Sequence, residues 1–234
     1  MTRVELILAR HGETSANARQ LLQGSLVNYP LNDLGRRQAA ALADGMASEK
    51  IDWIVTSQLE RAIETATCVA KYHPTVPFTK DARLNEISWG QMDGVDHATA
   101  NPVLKPVVHQ WNTGNHDAKI PGGESANECK ERILDAFADI LRTAKDKGYK
   151  RVMVVIHGRI MRVIMATLVD RNLDTMERFT HTNCCYHRIS TDITDAVPDA
   201  RTMQFTATSI DVRDHLKGVV NAKLAPVKDS LANL

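Results

Sequence analysis

Long apolar runs are what this 234-residue chain most plainly lacks. No segment approaches the roughly 18 uninterrupted apolar residues that a membrane-crossing helix needs. The opening MTRVELILARHGE is apolar only from Val4 to Ala9, is broken by Glu5, and is too short for a secretory h-region. A basic excess is missing too: 29 Lys and Arg face 28 Asp and Glu, for a net charge of +1. Nucleic-acid binding depends on many cations facing phosphates. The basic clusters here, Arg36-Arg37 and Lys145 to Lys150, read as solvated helix faces. No nucleic-acid or membrane partner is therefore expected. Cysteine is scarce: Cys68, Cys129, Cys184 and Cys185 form no C-x-x-C pair. Reduced thiols in a cytoplasmic protein are the simplest reading. What is present, 43% hydrophobic and 24% charged residues, suffices for one large core.

Val4 to Ala9 (VELILA) reads as a short buried strand ending in polar residues. Asn32-Asp33 offers an N-cap to a helix with Leu34, Ala41, Leu42 and Met46 on one face. Ile51 to Ser57 is a second strand, followed by Leu59, Ala62, Ile63, Ala66, Val69 and Ala70 at helical spacing. A further strand is expected around Val76 to Thr79. Residues 90–123 are rich in Gly, Pro, Asn and His and hold no period for long, so an insertion of short helices over a site is expected there. From Glu124 a long amphipathic helix buries Ala126, Cys129, Ile133, Phe137, Ile140, Leu141 and Ala144 and stops at Gly148. Arg151 to His157 is the clearest buried strand, with a helix over Ile160 to Leu168 after it. Cys184 to Thr191 and Met203 to Thr208 alternate like paired strands at a sheet edge. Strands alternating with helices predict an α/β fold of three layers: a mainly parallel sheet, helices on both faces and an antiparallel edge strand. One domain is expected over residues 1–212, with 213–234 as a C-terminal tail.

Ligands in such sheets sit beyond the carboxyl ends of strands, at a switch in strand order. Two strands here end in a histidine followed by glycine: Arg10-His11-Gly12 and Ile156-His157-Gly158. An arginine cannot shed its charge, so beside a core it needs an anion. Gly12 would let the backbone turn sharply and approach a ligand closely.

The longer string Leu8-Ala-Arg-His-Gly-Glu-Thr-Ser-Ala-Asn17, followed by Gln23-Gly24, resembles the signature of the histidine phosphatase superfamily, the phosphoglycerate mutase-like proteins. The resemblance runs on in order through Leu31-Asn-Asp-Leu-Gly35, Ser57-Gln-Leu-Glu-Arg61, Leu84-Asn-Glu86-Ile-Ser-Trp-Gly90, Gly122-Gly-Glu-Ser125, and His157-Gly158 with Arg162. It implies a nucleophile at His11, which would form a phosphohistidine, with Arg10, Arg61 and His157 around the phosphate. It also implies a proton donor at Glu86 and ligand contacts at Asn17, Gln23, Gly24 and Gly158. These roles suit the chemistry: phosphoryl transfer asks mainly for positioning and for charge on the equatorial oxygens to be neutralised. The second ring nitrogen of His11 should be held by a backbone carbonyl, which fixes the tautomer. No metal or cofactor is implied, and the spacings of His97, His109 and His116 match no compact ligand motif.

The glycolytic mutases of the family resemble each other in an insertion carrying adjacent arginines. Residues 92–123 contain Lys105 and Lys119 but no arginine, which favours hydrolysis of small phosphate esters over transfer to a sugar acid. Three alternatives are a phosphoglycerate mutase, a fructose-2,6-bisphosphatase-type enzyme using Arg159 or Arg83 for a second phosphate, and a non-catalytic scaffold, against which His11 and Glu86 both speak. Arg162 reads as a structural ion pair, and Glu13 and Thr14 as capping the turn after His11. A homodimer is left open.

Overall fold

A computed structural model describes residues 2–194 and 197–219. Its sheet has six strands: β1 (Thr2–Arg10), β2 (Trp53–Thr56), β3 (Phe78–Lys80), β4 (Arg151–Ile156), β5 (Tyr186–Ile193) and β6 (Thr206–Val212), in the order β3-β2-β4-β1-β5-β6. The first four are mutually parallel, while β5 runs antiparallel to β1 and β6 to β5. This is the expected α/β architecture, with two antiparallel strands at one edge.

The two faces of the sheet are separated by strand periodicity. Val4, Leu6 and Leu8 of β1 and Val152, Val154 and Ile156 of β4 point into one core, while Ile7, Ala9, Met153 and Val155 point into the other. The first core is covered by α4 (His97–Asn112), α5 (Ala126–Lys147) and α6 (Gly158–Met165). The second is covered by α2 (Asp33–Met46) and α3 (Glu60–Ala70). Helix starts and stops follow local chemistry. The side chain of Asn32 accepts from the Gly35 amide at the start of α2, Ser125 and Glu128 form a reciprocal capping box on α5, and Gly148 ends α5 at φ 71°.

Three expectations need correcting. Residues 90–123 do not hold short helices alone: after a single turn at Gly90–Met92, α4 runs unbroken for 16 residues with Pro102 and Pro106 inside it. Its buried face, Ala100, Leu104, Val107, Val108 and Trp111, is helically spaced, so burial overrides the two prolines. The helix after β4 continues past Met165 as a π-helical turn over Ala166–Asp170. The expected tail from 213 begins instead with a packed turn at Asp214–Leu216, with Leu216 fully buried against the α2 side of the sheet and His215 bonded to the Cys184 carbonyl. The rest of that tail, 220–234, lies outside the described residues. No helix among the described residues is long and apolar enough to cross a membrane.

Candidate active site

β1 and β4 lie side by side with Arg10 in register with Ile156, so the residues that follow, His11 and His157, emerge together at the carboxyl edge. Their ring centroids are 5.2 Å apart. The turn carrying His11 is stitched to α2: the Glu13 amide donates to Gln38 Oε1 at 2.8 Å, and the Glu13 carbonyl accepts from the Asn32 amide at 3.0 Å. Thr14 caps the short helix α1 (Ser15–Ala18) in a capping box with Asn17. Gly12 has a reason that the sequence did not show. A Cβ there would lie 2.5 Å from the Gly35 carbonyl oxygen, so glycine permits close packing on α2.

His11 Nδ1 lies 2.7 Å from the Gly12 carbonyl oxygen. A carbonyl can only accept, so Nδ1 carries the proton and Nε2 keeps its lone pair. Burial, then the charges of Arg61 and Arg10, hold the His11 pKa well below the ordinary histidine value. The ring is therefore a neutral imidazole at neutral pH.

Arg61 is fully buried, and its Nε, Nη1 and Nη2 donate to His157 Nδ1, the Val27 carbonyl and the Gly24 carbonyl. Burial pulls its pKa down to about 10. Because His157 Nδ1 accepts from an arginine, Nε2 bears the ring proton, and it lies 2.7 Å from Ser57 Oγ. Burial, followed by Arg61 and His11, holds the His157 pKa well below its usual value. Both nitrogens of His157 are thus engaged within the protein.

Glu86 is aimed at the start of α6. Its Oε1 accepts from the amides of Ile87 at 3.0 Å and Ile160 at 2.9 Å, and its Oε2 from the Arg159 amide at 3.0 Å. Two of these donors, the Arg159 and Ile160 amides, belong to the first turn of α6, where no intrahelical acceptor is available to them, and they fix the position of the carboxyl group.

These groups border a cavity of about 80 Å³ lined by Arg10, His11, Asn17, Gln23, Glu86 and Gly158. Arg61, His157 and Gly24 stand behind this wall. Gly24 is needed because a Cβ would meet Asp93 Oδ1 at 2.0 Å and the Ile87 carbonyl at 2.5 Å. Also in the lining are Leu21, Leu22, Trp89, His97, Arg159 and His181. The sequence carried no signal for His181, which bonds to Arg10 from 171 residues away. Nor did it mark Asn183, whose side chain donates to the His11 carbonyl. The antiparallel pairing of β5 with β1 brings both there. His97 lines the cavity, whereas His116 pairs with Asp174 and His109 is exposed, so the three do not converge. Arg162 shares Glu177 with Arg159, as its structural reading required. A larger cavity of about 430 Å³ is lined by His116, Lys130, Arg171, Arg201 and others but by none of the expected site residues. Arg201 there is paired with Glu131 and Asp135, and Arg171 with backbone carbonyls.

The chain is similar to "Phosphoglycerate mutase-like protein 4" of Arabidopsis thaliana, 36% identical over 160 residues that make up 68% of each chain. It is 35% identical to "Metal-independent phosphoserine phosphatase" of the same plant over 164 residues, 68% of this chain and 66% of that one. In three dimensions it resembles the native structure of mycobacterial glucosyl-3-phosphoglycerate phosphatase, with a TM-score of 0.76 over 90% of this chain and 99% of the other; at 23% identity, that likeness speaks for the fold. Residues 6–201 match the model of the histidine phosphatase superfamily (branch 1), and the chain belongs to that family.

Proposed function

We propose that the protein is a metal-independent phosphomonoesterase that hydrolyses small phosphorylated metabolites through a phosphohistidine at His11. The observation that carries this reading is the His11 ring itself: neutral, with Nδ1 tied to the Gly12 carbonyl and Nε2 available beside two arginines. In the first step the Nε2 lone pair attacks phosphorus and the P–O bond to the leaving group breaks. Glu86 gives its proton to the departing oxygen. In the second step water gives a proton to Glu86 and attacks phosphorus, the N–P bond breaks, and phosphate leaves. Oε1 of Glu86 is filled by two amides, so Oε2, with one, is the oxygen that carries the proton. Arg10 neutralises the transferring oxygens from the cavity wall. Arg61 adds its charge from behind, held there by His157 and the carbonyls of Gly24 and Val27. Asn17, Gln23 and the backbone at Gly158 complete the phosphate cradle.

Water as acceptor suits the surroundings better than a second sugar acid. Lys119 is paired with Glu128, Lys105 is exposed, and neither lines the cavity. A bisphosphate reading would rest on Arg159, because Arg83 is held by Asp81 and Asp139 away from the cavity. The similar proteins named as phosphatases act on small phosphate esters by their names, which supports the same class here. The four free cysteines agree with work in the cytoplasm.

The test is turnover of p-nitrophenyl phosphate in EDTA, with rapid quench for an acid-labile phosphoprotein. Wild type should turn over and trap phosphate on histidine. His11→Ala should trap none and lose about three orders of magnitude or more in kcat. Loss of wild-type turnover in EDTA would rule the mechanism out.

A further inference from the structure

Arg10 is almost wholly buried, yet among the described residues its guanidinium is held at one end. Among the described residues, its hydrogen-bond partner is His181: Nη1 lies 3.0 Å from His181 Nδ1 and 3.4 Å from the His181 carbonyl oxygen. Arg10 Nε is buried without a partner. Anchoring Nη1 leaves the Nε–Nη2 edge, the fork that grips two oxygens of one phosphate.

An arginine nitrogen is always a donor, so His181 Nδ1 must be the acceptor and the ring proton sits on Nε2. The His181 ring is itself placed by the fold. It rests on Gly158 at the start of α6, where a Cβ would come 2.8 Å from His181 Cε1. Gly158 therefore makes room for this ring as well as lining the cavity.

We infer that His181 is a positioning residue that presents the Nε–Nη2 edge of Arg10 to the phosphate group, and that protonation of its ring disarms this grip. With both ring nitrogens protonated, Nδ1–H would face an arginine N–H, donor against donor. The inference rests on reading the cavity as a phosphate site. Charged and titratable groups near His181 are Arg10 at the end of β1 and His11 just after it, with Glu86, His97 and Arg159 in the same cavity lining. On the β6 side Asp211 accepts from the hydroxyl of Thr180, next to His181 in the chain.

The experiment is calorimetric titration of inorganic phosphate into wild type, His181→Gln and His181→Ala between about pH 5 and 8, with thermal melts to confirm folding. Glutamine keeps an acceptor oxygen but cannot take up a proton. Near pH 8 the glutamine variant should bind within about threefold of wild type, and the alanine variant about tenfold more weakly. Near pH 5 wild type should fall about tenfold relative to the glutamine variant, a ratio in which the ionisation of phosphate itself cancels. Equal binding by the alanine variant, or a ratio that does not change with pH, overturns the inference. If phosphate binds in this His181-dependent way but p-nitrophenyl phosphate is not turned over, the hydrolase reading fails and the positioning role stands. If wild type binds no phosphate, both fall.

Discussion

Two glycines decide where His11 stands. A Cβ on Gly35 would lie 1.9 Å from the Glu13 carbonyl oxygen, and one on Gly12 would lie 2.5 Å from the Gly35 carbonyl oxygen. Both obstacles are backbone atoms, which cannot rotate away. Gly35 occupies the first turn of α2, where alanine ought to stabilise a helix by up to about 1 kcal/mol. The contact predicts the opposite sign: Gly35→Ala should lose about 1–3 kcal/mol in urea unfolding, and phosphate turnover should fall with it as the His11 turn is pushed off α2. A stabilised, fully active variant would refute the account. At this scale the sequence was legible where chemistry is local, as in the Thr14 cap and the string Arg10-His11-Gly12. It was illegible where the partner is remote. The packing of Gly12 on Gly35 went unread because Gly35 lies 23 residues away, and His181 carried no signal because its bond to Arg10 depends on the pairing of β5 with β1.

Secondary-structure elements show the same division. β1 and β4 were readable because each is a run of apolar residues ended by a polar cluster, and a strand buried on both faces needs nothing else. α4 was hidden by Pro102 and Pro106, which by propensity should end a helix. Both prolines lie on its exposed side, while Leu104, Val107, Val108 and Trp111 lie on the buried one, so tertiary packing carries the helix through two lost backbone bonds. That arrangement leaves stability unclaimed. Pro106→Ala should restore a donor to the helix ladder and stabilise the protein by about 1–3 kcal/mol, read as a higher Tm, with turnover unchanged because Pro106 does not border the cavity. A lower Tm would mean that the prolines hold α4 in its path.

For the whole molecule, the neutral imidazoles that serve the site have a cost in acid. The pKa values of His11 and His157 are held well below the ordinary value, chiefly by burial, and burial brings His187 of β5 down to about 4. In the unfolded chain all three would take up protons as pH falls through about 6.5. The folded protein does not, so between about pH 6.5 and 4 the unfolded state binds more protons and each ring removes up to about 1.4 kcal/mol per pH unit. Stability is therefore complete above about pH 6.5 and declines as acid is added. Carboxylates also titrate toward the lower end of this window, so the contribution of a single ring needs a paired comparison. His187 is suitable because it lies away from the cavity: its Nδ1 accepts from the Asp211 amide at 3.2 Å, so its ring proton sits on the buried Nε2. His187→Gln keeps an acceptor and removes the proton site. Its unfolding free energy, followed by urea titration from about pH 6.5 to 4.5, should fall less steeply than that of wild type by close to one proton. Parallel slopes in the two proteins would mean that the His187 ring is protonated in the folded state as readily as in the unfolded one, and that burial at the sheet edge does not set its charge.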